Sequence, residues 1–305
     1  MTSGAASVTF FGVWSGQLPA VTELHFRSFL ARHPESSYEL WLDEDAGSAI
    51  AAPELQWLAS HPRIRVRPFS LDALIEQHLG TRPRRRRRGE WLRKLGLAVH
   101  RRVAPSWSRR KAWDHEQLGL TYMHSSSLFA GFHADPAYRG DIARFLVALT
   151  HYPQASLCCD LDVCFMSDLT RLCESAGFVY RREHLGFADN TIVYMPSASW
   201  SGALVRKARA IETFRPWVLL SEAHCAELGL AMQPSRLIDP LRDPTSLLYG
   251  DTARFFGPRD NLALDLHALS IERHVAIHWH DNWRTLPAPT SIYSGLLRAC
   301  EGVGA

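Results

Sequence analysis

The chain has 305 residues, 46% hydrophobic and 21% charged, a globular composition that excludes wholesale disorder and allows one large domain or two small ones. Its net charge of +3 conceals an asymmetry: residues 80–113 hold 13 Lys or Arg against one acid, Glu90, a balance of +12, and the remaining 21 basic and 30 acidic residues give −9. No apolar run approaches the roughly 18 to 20 residues that span a bilayer, and residues 1–7 lack a basic segment followed by an apolar one, so the expectation is a cytoplasmic protein, peripheral at most on the inner face of the membrane.

Residues 8–13 (VTFFGV) form a short β-branched and aromatic run that ends at Trp14-Ser15-Gly16, an opening strand and a turn. After Pro19, the spacing of Val21, Leu24, Phe29 and Leu30 puts an apolar stripe on one face of a helix. Residues 38–42 (YELWL) read as a second strand closed by Asp43-Glu44-Asp45, and residues 64–69 (IRVRPF) as a third, limited by Pro68. This alternation predicts an α/β layered domain with a mainly parallel sheet.

The basic segment interrupts the rhythm. Residues 81–89 (TRPRRRRRG) cannot pack and read as a solvated loop. Residues 90–103 place Trp91, Leu95 and Val99 on one face and Arg/Lys opposite, the pattern of a basic amphipathic helix. Residues 84–103 therefore suit an anionic membrane surface, which attracts the basic face while the apolar one enters the headgroup boundary. Nucleic acid is disfavoured as a partner, because no DNA- or RNA-binding motif accompanies the Arg run.

Helical spacing returns at residues 141–149 (DIARFLVAL) and ends at Pro153. Residues 155–166 (ASLCCDLDVCFM) read as one apolar strand broken only by two aspartates, residues 178–180 and 191–195 as further strands, residues 199–213 as a helix, and residues 275–279 (VAIHW) as a late strand. The six cysteines (Cys158, Cys159, Cys164, Cys173, Cys225 and Cys300) form no CxxC pair and no regular framework, so buried free thiols are expected.

Carboxylates in an apolar strand are costly to bury without a counter-charge, so Asp160 and Asp162 ask for an ion or a strand end open to a cleft. Alternation in an extended chain puts both on one face, with Leu161 and Val163 pointing into the core. At the carboxyl end of a parallel strand they would lie where open α/β sheets bind ligands, and hard oxygen donors there suit Mg²⁺ or Mn²⁺. Asp43-Glu44-Asp45 has the same Asp-x-Asp pattern but lies in a polar turn, where solvated acids are the ordinary reading. His274, His278 and His280 cluster near the end of the chain without a Cys or third ligand at finger spacing, and His280 reads as a satisfied core residue.

The segment RGDIARFLVAL…ASLCCDLDVCFMSDL resembles the Asp-x-Asp sugar-binding region of glycosyltransferase family 32 and its relatives, among them yeast mannosyltransferases, bacterial capsule transferases and the large clostridial glucosylating toxins. In that family a helix beginning Ser-Asp-x-x-Arg leads through a Gly-Gly turn into a strand Tyr-Leu-Asp-x-Asp-Val. Asp141 and Arg144 match the helix, Ala155 and Ser156 stand in place of the glycines, and Asp160, Asp162 and Val163 match the strand. The opening FFGVWSGQLP is similar to the family's first strand, whose Trp stacks on the nucleobase and maps to Trp14. IHWHDNW resembles the closing His-x-x-x-Ser-Trp motif and maps to His278 and Trp283, with Asp281 or Asn282 in place of Ser. Asn190 matches an Asn that precedes a strand.

The resemblance implies one GT-A domain over residues 1–305, with a Rossmann-like mixed, mainly parallel sheet flanked by helices and a basic helical insertion at 80–113. It implies a donor, a UDP- or GDP-linked sugar, bound with Mn²⁺ or Mg²⁺. Asp162 would ligate the metal, joined by His278 and Asp281, and Asp160 would contact the ribose or donor sugar or reach the metal through water. Trp283 would hold the β-phosphate, while Trp14, Asp141, Arg144 and Asn190 would bind the nucleotide sugar. Family members retain anomeric configuration, and a polysaccharide or lipid-linked glycan is the expected acceptor. A protein side chain is the alternative acceptor, and a non-catalytic scaffold binding through its Arg-rich face is the alternative class.

Overall fold

The computed structural model describes residues 8–80, 128, 136–173, 176–182, 187–250, 252–280, 283 and 285–301. The Arg-rich insertion beyond Gly80, with its expected amphipathic helix, and Asp281 lie outside these residues.

The opening strand β1 (Thr9–Trp14) alternates sides as its sequence requires: Phe10 joins an apolar cluster on one face of the sheet and Phe11 a second cluster on the other. β1 pairs in parallel with β2 (Tyr38–Asp43), which pairs in parallel with β3 (Ile64–Phe69). On its other side β1 pairs in parallel with β4 (Ser156–Cys159). The sheet continues through β7 (Phe187–Met195), antiparallel to both β4 and β6 (Phe178–Arg182), and ends at β8 (Ala231–Gln233), parallel to β6. The order is β3-β2-β1-β4-β7-β6-β8, so only β7 runs against the rest.

Helices cover both faces, as parallel crossovers demand. Helix α1 (Glu23–Arg32) packs Phe26, Phe29 and Leu30 on the Phe10 face. Helices α2 (Leu71–Leu79), α3 (Pro136–His151) and α4 (Ala198–Ala210) cover the Phe11 face. Ser70 caps α2 by accepting from the Ala73 amide, and Gly80 ends it in the left-handed conformation at φ 66°. All residues of α3 from Asp141 to Ala148 are buried, which makes it the central helix of that layer. Near the end of the chain, α5 (Leu262–Ile271) and α6 (Ile292–Glu301) enclose a third cluster with Leu24, Cys164 and Trp279.

The mixed, mainly parallel sheet flanked by helices is the architecture expected, with one correction. Residues 155–166 are not one strand. β4 stops at Cys159, the chain turns through Leu161 and Asp162, and β5 (Val163–Phe165) leaves the main sheet to pair antiparallel with β9 (Ala276–His278), Val163 opposite His278. Both strands are wholly buried, so apolar character continues across the turn and hides the change of partner. Cys158 and Cys159 thus lie in one sheet and Cys164 in another, and all six cysteines are free thiols. No helix among the described residues is long and apolar enough to cross a membrane.

Candidate active site

The turn between β4 and β5 lies at the carboxyl edge of the parallel strands and is clamped on both sides. Before it, the Asp160 amide donates to the Thr191 carbonyl at 2.7 Å; after it, the Trp279 amide donates to the Asp162 carbonyl at 3.0 Å. From α1, His25 Nδ1 donates to the Val163 carbonyl at 2.8 Å, which leaves Nε2 to accept from the Tyr38 hydroxyl at 2.9 Å. That hydroxyl also lies 3.4 Å from the Cys159 carbonyl. Burial pushes the His25 pKa down to about 3, so the ring keeps the neutral tautomer that this arrangement needs. Gly12 is required beside the turn, because a Cβ there would lie 2.8 Å from Leu161 and 2.9 Å from the Cys159 carbonyl.

Asp160 faces a guanidinium. Arg144 of α3 reaches its carboxylate at 2.9 Å and approaches Asp141 at 3.6 Å. Arg144 also donates to the Asn190 carbonyl, and the Asn190 side-chain amide donates to Asp141 at 2.8 Å. Asp141, Arg144 and Asn190 are buried, whereas 27% of the Asp160 side chain remains open. Burial raises the Asp160 pKa, opposed by Arg144 and reinforced by Asp162. The structure therefore gathers four of the expected residues into one network, with Asp160 as the member that can still meet a ligand.

Asp162 is buried and faces histidine. His278 Nε2 lies 3.2 Å from its carboxylate, while Nδ1 is 2.8 Å from the buried Tyr180 hydroxyl. Burial, the largest single influence, would lower the His278 pKa; the charge and hydrogen bond of Asp162, joined by the charges of Asp239 and Asp189, together outweigh it and raise the value to about 9. β9 ends at His278, and His280 takes a left-handed backbone at φ 52°, which sets the two rings 3.8 Å apart. His280 Nε2 lies 2.9 and 3.0 Å from the two oxygens of the fully buried Asp239, which follows the helical turn Ser235–Ile238. His280 is thus a satisfied core residue as expected, yet it stands beside the site.

Trp14 and Trp283 meet edge to face at 4.6 Å, joining the two ends of the chain, and both pack against the apolar cluster that holds Leu161 and Val163. Sequence reasoning missed Asp239, Tyr180, His25 and Tyr38. Each acts across a long separation, and no local motif marks it. The reading of Asp43-Glu44-Asp45 as solvated needs correction at Asp43. This residue is fully buried, accepting from Ser15 at 2.9 Å and from two Arg139 nitrogens at 3.0 and 2.6 Å. Glu44 and Asp45 are exposed, and Asp45 accepts from the Asp72 amide at 2.8 Å.

No protein-family model matches the sequence, and no curated protein matches it. Solved structures give distant likenesses in the course of the chain. The bifunctional glycosyltransferase WbbM aligns with a TM-score of 0.45 and 9% identity over 99% of this chain and 51% of its own, so this chain spans about half its length. An active-site variant of LgtC aligns at 0.44 and 10% identity over 96% of each chain. Mouse xyloside xylosyltransferase 1 aligns at 0.43 and 9% identity over 90% of this chain and 98% of its own.

Proposed function

We propose that this chain is a metal-dependent glycosyltransferase that moves a sugar from a UDP- or GDP-linked donor to a polysaccharide or lipid-linked glycan, with retention of anomeric configuration. The observation that carries this reading is the buried acidic turn at the carboxyl edge of the sheet, with a guanidinium against Asp160 and an imidazole against Asp162. The donor set fits a divalent cation: Asp162 from the turn after β4 and His278 from β9 converge in a buried setting, where a carboxylate needs a cation or a hydrogen-bond donor. Asp162 and His278, with Asp281, would hold Mn²⁺ or Mg²⁺, and the ion would supply neutralisation of charge on a departing diphosphate.

The chain's own residues have divided tasks. Arg144 fixes one oxygen of Asp160, whose open portion would accept a hydrogen bond from a ribose or sugar hydroxyl. Asp141 and Asn190 hold Arg144 in place and would border the bound nucleotide sugar. Trp14 offers a ring to the nucleobase, and Trp283, packed against it, would steer its indole N–H to the β-phosphate. The basic segment 84–103 would dock the enzyme on an anionic cytoplasmic membrane surface, close to a lipid-linked acceptor.

The test is a panel of UDP- and GDP-sugars incubated with the protein and Mn²⁺, with free nucleotide as the readout. Release from at least one donor, abolished by chelation, is expected; no release from any donor would overturn the reading. Sedimentation with anionic liposomes tests the docking: deletion of 84–103 should lower it, and equal sedimentation would remove that element.

A further inference from the structure

Four buried side chains stand in a row in the order Asp162, His278, His280, Asp239. Each acid lies against one imidazole, at 3.2 Å for Asp162 with His278 and 2.9 Å for Asp239 with His280, and the two rings are 3.8 Å apart. Asp239, His278 and His280 each present a ligand atom, all within 4.8 Å of one another. The row is built rather than incidental. A strand continued past His278 would carry His280 along the sheet, but the left-handed backbone at His280, uncommon for a side chain with a Cβ, folds its ring onto His278. The Tyr180 hydroxyl at 2.8 Å from His278 Nδ1 fixes that ring from behind and leaves Nε2 toward Asp162, an outer contact that orients the ring as a metal-ligating histidine requires.

We propose that Asp239 and His280 belong to the metal site, so that the trio Asp239, His278 and His280 holds the ion together with Asp162. Two carboxylates of buried charge balance one dication, and two imidazoles make the donor set unlike an all-oxygen one. Such a set selects ions that accept nitrogen, Mn²⁺, Co²⁺ or Zn²⁺, over Mg²⁺, which prefers oxygen and keeps its water. The inference rests on the metal-dependent reading of Asp162 but adds the ligands that a search for sequence motifs leaves out.

The test uses the metal alone on the full chain. Pulsed electron paramagnetic resonance of the Mn²⁺-loaded wild type should show couplings to two imidazole nitrogens; one nitrogen or none overturns the proposal, with no variant needed. By calorimetry, Asp239→Asn and His280→Gln should each weaken Mn²⁺ binding by about tenfold or more, while the fold persists by circular dichroism. His274→Gln, a buried histidine bonded to Glu272 outside the row, should bind as the wild type does. Mg²⁺ should bind at least about tenfold more weakly than Mn²⁺. If Asp162→Asn loses Mn²⁺ while Asp239→Asn and His280→Gln keep it, the trio is wrong and the glycosyltransferase reading stands. Two nitrogens on Mn²⁺ in a protein that cleaves no nucleotide sugar would uphold the trio and overturn that reading instead.

Discussion

Asp43-Glu44-Asp45 and Asp160-Leu161-Asp162 share a pattern and a place, each at the carboxyl end of a strand of the same parallel array. Their surroundings differ in one respect that decides their chemistry. Asp43 is closed: two nitrogens of Arg139 and the hydroxyl of Ser15 meet one oxygen, and the Asp45 amide meets the other. Asp160 has a guanidinium against it and still keeps 27% of its side chain open, while Asp162 faces an imidazole whose charge can be exchanged for that of an ion. An Asp-x-Asp pattern therefore says little by itself. Whether the partners close the carboxylate completely, or leave it partly open or facing a histidine, separates a structural acid from a candidate ligand.

The largest effect that could break this contrast concerns turnover. Asp162→Asn should lower Mn²⁺-dependent nucleotide release by about a hundredfold or more, while Asp45→Asn in the exposed turn should leave it unchanged. Equal rates in the Asp162 variant would erase the distinction. Next in size is a loss of stability on the structural side. Asp43→Ala removes the fully buried carboxylate that the Arg139 guanidinium, 12% exposed, meets and should cost about 3–5 kcal/mol in urea unfolding. The folded fraction of that variant should still bind Mn²⁺.

A pH series sharpens the role of the clamp. Burial holds His25 near 3, and holds near 4 His33, which follows α1 and accepts from the Leu169 amide at 3.0 Å; both lie below the ordinary 6.5 of the unfolded chain. The unfolded state therefore takes up protons first. This contribution to stability is complete above 6.5 and falls as pH drops below it, by up to about 1.4 kcal/mol per pH unit for each histidine. A urea midpoint that stays constant from pH 7 to pH 5 would contradict this. The smallest expected effect is Tyr38→Phe, which removes the hydroxyl between His25 and the Cys159 carbonyl and should cost about 1 kcal/mol, with weaker Mn²⁺ binding as the turn loosens.

Much of the sheet was legible because its strands carry local patterns. β1, β2 and β3 announce themselves by β-branched and aromatic runs, and α3 by its helical spacing. Asp160 and Asp162 stand out because charge in an apolar run is rare and costly. What stayed hidden depends on pairing across the chain. The turn at Asp162 is masked because Val163, Cys164 and Phe165 are as apolar as β4, and their true partners in β9 lie at the far end of the sequence. Asp43 looked solvated because Arg139, its partner, is 96 residues away. Asp239 sits in an unremarkable Ile-Asp-Pro stretch, and only the left-handed backbone at His280 brings that histidine into the row beside it.

The most direct test of the central claim is calorimetry of UDP and GDP titrated into the wild type and Asp162→Asn, each with Mn²⁺ and with a chelator. The account predicts that one nucleotide binds the wild type when Mn²⁺ is present, that chelation weakens it by at least about tenfold, and that Asp162→Asn loses the Mn²⁺-dependent part. Binding of equal strength with and without metal, or in the variant, would contradict it.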